Sequence, residues 1–117
     1  MRNFTISRRY ARALLSLGKE DGNYLKYGEE LKAFSDLLKK ETQARYILKS
    51  PIYDSSSRSK LLSVILGKTG FSPTINHFIQ LLLAKGRIQY LDDIAVYYAQ
   101  LTDELSNIKR ATVTAAV

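Results

Sequence analysis

The chain has 117 residues, 45% hydrophobic and 25% charged, a balance that suits one globular domain burying ~65% of its unfolded surface. It has no cysteine, which excludes a disulfide framework, a thiolate nucleophile and a cysteine metal site. Its apolar runs, such as Leu81-Leu82-Leu83-Ala84, fall far short of the ~20 residues that span a bilayer, and charged and polar residues break up its N-terminal apolar stretch, so no signal peptide is expected. The net charge of +7 raises a polyanionic partner. The basic residues are scattered, however, in short groups such as Arg8-Arg9, Lys39-Lys40 and Lys109-Arg110. Solvated helix faces account for them better, and a basic helical nucleic-acid-binding domain is the alternative reading.

The first segment, Phe4 to Gly18, is an amphipathic helix. Wound at about 100° per residue, Phe4, Ile6, Ser7, Tyr10, Ala11, Ala13, Leu14, Leu15 and Leu17 fill one arc about 200° wide. A surface helix needs an apolar stripe only a little over about 100° wide, so a second face is left over. Gly18 is expected to end the helix, and Asp21-Gly22-Asn23 to turn the chain, with Asn23 as N-cap.

A second helix is expected from Tyr24 to Lys40, where Tyr24, Tyr27, Leu31, Phe34 and Leu38 step by three and four. A short helical piece follows through Ala44, Ile47 and Leu48, closed by Pro51. Asp54 with Ser55-Ser56-Ser57 caps a fourth helix, which Gly67 and Gly70 end. Ser72-Pro73 opens a fifth, a serine cap with proline at the first helical position. There Ile75, Phe78, Ile79, Leu81, Leu82 and Leu83 sweep another arc about 200° wide. A last helix carries Leu91, Ile94, Ala95, Tyr98, Leu101, Leu105 and Ile108 in one narrow stripe. The tail Ala111-Thr-Val-Thr-Ala-Ala-Val117 is β-prone and reads as the first strand of a further domain. The expected fold is all-α, a bundle of five to six helices over residues 1–110, with residues 111–117 starting a C-terminal domain that is missing from the sequence.

No catalytic constellation emerges. Gly67-Lys68-Thr69 lacks the earlier glycine of a phosphate loop, since Leu62 stands there, and it closes a helix instead of opening one. Ser57-Arg58-Ser59-Lys60 is a helix cap without the companion motifs of a serine nucleophile. His77, the sole histidine, lies on a polar helix side beside Asn76 and Gln80 and reads as solvated. No catalytic, metal or cofactor-binding residues are assigned.

In order along the chain, Arg9-Tyr10-Ala11-x-Ala13-Leu14, Phe34, Leu48-x-Ser50-Pro51 with Lys60, Lys85-Gly86-Arg87-Ile88, then Leu91, Ile94 and Tyr98 resemble the δ subunit of bacterial F-type ATP synthase, the family of the mitochondrial oligomycin-sensitivity-conferring protein. The tail Val113-Thr114-Ala115-Ala116 looks like the start of that family's second domain. The resemblance implies a six-helix N-terminal domain in a non-catalytic stator subunit. Such a subunit joins the catalytic head to the peripheral stalk in proton-driven ATP synthesis. It lies peripherally on the cytoplasmic face of the bacterial inner membrane and binds no nucleic acid or cofactor. The implied partners are the N-terminal helix of the α subunit, held between the first and fifth helices, and the b subunit, held through the C-terminal domain. The isolated chain is expected to be monomeric.

Both readings meet at the two over-wide arcs. On the first helix the partner face is either Ile6, Tyr10, Ala13 and Leu17 or the smaller Ser7, Ala11, Leu15 and Gly18, with Leu14 between. Small residues let a guest helix approach closely, so the expected set is Tyr10, Ala11, Ala13, Leu14 and Leu17, with Ile75, Phe78, Ile79, Leu82 and Gly86 from the fifth helix and its end.

Overall fold

A computed structural model describes the backbone of residues 4–116 and the side chains of residues 4–107. The helices are α1 (Phe4–Asp21), α2 (Tyr24–Lys40), α3 (Thr42–Lys49), α4 (Ser55–Gly67), α5 (Pro73–Ala84) and α6 (Leu91–Ala116), with a 3-10 turn at Ile88–Tyr90 leading into α6. No strand occurs among the described residues, and the fold is all-α as expected.

The helices form because each carries an apolar stripe at helical spacing, and the stripes decide the packing. α6 is the central strut, lying along α1 and α2, while α3 and α5 attach through α2 and the 3-10 turn and α4 packs on α3 and α5. Leu31 and Phe34 of α2, Leu62 of α4, Ile79 of α5, and Ile94 and Tyr98 of α6 are fully buried where these elements meet. Each large apolar side chain so placed contributes ~1.5–3 kcal/mol. The Tyr98 hydroxyl keeps a partner by donating to the Tyr24 carbonyl at 2.7 Å, and its burial pushes the phenol pKa well up.

Several local expectations change. α1 continues past Gly18 to Asp21. Gly18 is a point of close approach, because a Cβ there would lie 2.6 Å from the Tyr24 Cα. The turn falls on Gly22, within the expected Asp21-Gly22-Asn23, and its φ of 79° is one that only glycine adopts readily. Asn23 precedes α2 but makes no side-chain capping bond. The local polar work goes to Asp21, which accepts from the Asn23 N–H at 2.9 Å and from the Tyr27 hydroxyl. Asp54 caps α4 as expected, accepting from the Ser57 N–H at 2.7 Å. Ser72 stands before Pro73 without a side-chain cap. Its hydroxyl donates to Glu30 at 2.7 Å, and its N–H points at the same carboxylate. Glu30 thereby ties the start of α5 to α2.

The expected strand in the tail is not found, because α6 crosses residue 110 without a break and runs to Ala116. Ala111, Ala115 and Ala116 are strong helix formers, and adding a residue to an existing helix costs far less than nucleating one. That outweighs the weak β preference of Val113 and the threonines. Val117 lies outside the described residues.

Candidate functional site

The two halves of the α1 arc differ in burial. Ser7, Ala11, Leu14 and Gly18 are its buried residues. The small side chains let α1 come close to its neighbours, so they serve the chain's own packing. The other half of the arc is open: Ile6 and Tyr10 are half-buried, Ala13 is exposed, and Leu17 is 49% exposed. Two expected contact residues, Ala11 and Leu14, are therefore core.

On α5 the core takes more of the arc. Ile75, Ile79 and Leu82 have no exposed surface, so they cannot meet a docked helix without repacking. Phe78 stays at the margin with 8% exposure, and Leu81, one turn further on, is 44% exposed. Leu81 belongs to this face although it was not among the expected contact residues. Its spacing of three from Phe78 was the signal that could have found it.

α1 and α5 meet through Tyr10 and Phe78, whose rings pack edge to face with centroids 6.1 Å apart. At the end of α5, Gly86 takes a left-handed φ of 69°. The Gly86 N–H donates to the Leu83 carbonyl at 3.0 Å and the Arg87 N–H to the Leu82 carbonyl at 2.7 Å, closing the helix. Arg87 then reaches back to α1, donating from Nη1 to the Tyr10 hydroxyl at 3.0 Å. Its guanidinium carbon lies 5.6 Å from the centre of the Tyr10 ring. The sequence marked Arg87 only as part of the junction, since nothing in its spacing links it to Tyr10.

Tyr10 and Phe78 thus form a seam between α1 and α5, with Gly86 and Arg87 at the end of α5, while Ala13 and Leu17 on α1 and Leu81 on α5 are exposed. Exposed large apolar side chains on two neighbouring helices can bury area against a third helix. A cavity of about 670 Å³ lies elsewhere, beside α3 and the loop after it, lined by Arg45, Tyr46, Lys49 and Ile52 among others. There burial and the nearby Arg45 lower the Lys49 pKa.

The basic residues of α1 are partly engaged within the fold. Arg12 donates to the Tyr97 hydroxyl at 3.3 Å, and Arg8 lies 5.6 Å over the Tyr97 ring. Both contacts link α1 to α6. His77 is exposed. No group of three potential metal ligands occurs among the described residues, and none of their helices is long and apolar enough to cross a membrane.

A family model described as the ATP synthase delta (OSCP) subunit matches residues 6–117. The chain is 44% identical over 116 residues to ATP synthase subunit delta of Desulfatibacillum aliphaticivorans, covering 99% of this chain and 63% of that protein. The namesake from Syntrophobacter fumaroxidans is 37% identical over 117 residues, covering 100% and 64%. The chain thus spans somewhat under two thirds of these relatives. Among solved structures, a chain in the cryo-EM structure of Polytomella F-ATP synthase (F1 head and rotor, rotary substate 2A) aligns with a TM-score of 0.77. That alignment covers 87% of this chain and 90% of the other at 22% identity, a likeness of fold.

Proposed function

This chain belongs to the ATP synthase delta (OSCP) subunit family, and from that premise we propose that it is a non-catalytic stator component linking the catalytic head of an F-type ATP synthase to its peripheral stalk. The α1–α5 face binds the amphipathic N-terminal helix of the α subunit. One observation carries this reading: α1 completes its own core with Ser7, Ala11, Leu14 and Gly18 and still leaves Leu17 half-exposed, with Leu81 half-exposed on α5. Two helices that present large apolar side chains beside one seam fit the recognition of an amphipathic helix.

Binding to the stalk's b subunit falls, in this reading, to the part of the family's length outside the present sequence. The subunit works at the cytoplasmic face of the bacterial inner membrane, held there by the complex. Family membership and the internal use of Arg8 and Arg12 speak against the nucleic-acid alternative.

Calorimetric titration with a synthetic peptide of the α-subunit N-terminal helix tests the proposal. Apolar docking predicts saturable binding that changes little between low and moderate salt. Nucleic-acid binding predicts affinity for duplex DNA that collapses as salt rises. No binding of the peptide by the folded chain would overturn the proposal.

A further inference from the structure

Arg87 is anchored where α5 ends, its N–H bonded to the Leu82 carbonyl at 2.7 Å directly after the left-handed Gly86. Its guanidinium turns to one residue of α1, donating a hydrogen bond to the Tyr10 hydroxyl and approaching the ring of the same tyrosine. Phe78, from the body of α5, meets the same ring edge to face. Tyr10 is thus gripped by two residues of the α5 unit, one touching its ring and the other its ring and hydroxyl. We infer that Arg87 is a positioning residue, holding the Tyr10 ring in the seam so that the α1–α5 face is preformed before a helix docks. The inference rests on the proposed reading of that face.

A half-buried tyrosine without such a hold can swing to other staggered rotamers, which would change the shape of the seam. Ordering that ring on docking would then weaken binding, whereas a ring already held avoids the loss. The planar guanidinium can stack and donate at once, which a lysine ammonium does not reproduce.

A double-mutant cycle on peptide affinity separates action through Tyr10 from direct contact with the partner. Arg87→Gln is expected to weaken binding of the α-subunit helix peptide roughly five- to tenfold in the otherwise unchanged chain, and less than about twofold in a Tyr10→Leu background. Arg87→Lys, which keeps the charge and loses the planar fork, is expected to recover little of the loss. Side-chain scalar couplings at Tyr10 should report one χ1 rotamer in the unchanged chain and averaging in Arg87→Gln. Should Arg87→Gln melt early, Tyr10→Phe removes only the acceptor and is expected to weaken binding roughly two- to fivefold.

Equal losses in both backgrounds would show that Arg87 acts on the partner directly and overturn the inference. So would unchanged affinity in Arg87→Gln and, where Tyr10→Phe stands in for it, unchanged affinity in that variant. If the unchanged chain does not bind the peptide, the proposed function falls and this role with it. If it binds and the cycle shows no coupling, only the role of Arg87 falls.

Discussion

One methyl group at Gly18 would place a carbon 2.6 Å from the Tyr24 Cα, and backbone cannot move aside as a flexible side chain can. Gly18→Ala should therefore destabilise the chain by ~1–3 kcal/mol, the usual range for overpacking. Gly67, at the end of α4, has nothing within 4 Å of the same added carbon, and Gly67→Ala should be neutral or stabilise by up to ~1 kcal/mol. Urea unfolding of both variants reads the contrast directly. Leu14 and Leu17 form a second pair, one turn apart on α1 but buried and half-exposed respectively. Leu14→Ala should cost ~2–5 kcal/mol through lost contacts and the cavity left behind. Leu17→Ala should leave stability within ~0.5 kcal/mol and act on peptide affinity instead. These distinctions were hidden in the sequence because Gly18 in a helix reads first as a stop signal. Leu14 and Leu17 both lie inside the same apolar arc, and periodicity shows that the arc is wide without showing which neighbours claim which part.

At the scale of elements, helix identity was legible because runs such as Tyr27, Leu31, Phe34 and Leu38 repeat at helical spacing, and the caps less so. Asp54 was legible since a carboxylate before a serine run has a backbone N–H to accept from, and Ser57 supplies it. Ser72 takes the N-cap position before Pro73 as read, but its hydroxyl makes no capping bond because Glu30, distant in sequence, competes for it. Bonds from the Ser57 backbone N–H and side chain lower the Asp54 pKa. A depressed carboxylate pKa means stability that is present above the unfolded pKa of about 3.9 and lost as pH falls through the lower folded value. The first turn of α4 should accordingly fray only in strong acid, and Asp54→Asn should remove that pH dependence. The Ser57 amide shift followed against pH checks both, and a midpoint at or above the ordinary carboxylate value would contradict them. The tail teaches a related lesson. Val113 and its threonines suggest a strand, but a helix already running through Ala111 extends at little cost.

For the molecule as a whole, α6 braces α1 and α2 while α5 rides on α4, so the seam lies between two sub-layers of the bundle and belongs to neither. Arg12 and Arg8 on Tyr97 hold one side of it, and Arg87 on Tyr10 crosses it. In the proposed stator role the docking face must transmit load without slipping, and a face built across two braced layers suits that task. The central claim is that the open halves of α1 and α5, not their buried halves, receive the α-subunit helix. The most direct measurement is peptide titration of Leu17→Asp, Leu81→Asp and Gln100→Ala proteins, each shown by thermal melting to be folded. A charge buried against an apolar partner is costly, so both aspartate variants should bind at least about tenfold more weakly, a loss of 1.4 kcal/mol or more. Gln100→Ala, exposed on α6, should bind like the unchanged chain. Undiminished binding by folded Leu17→Asp and Leu81→Asp would place the docking site elsewhere and contradict the account.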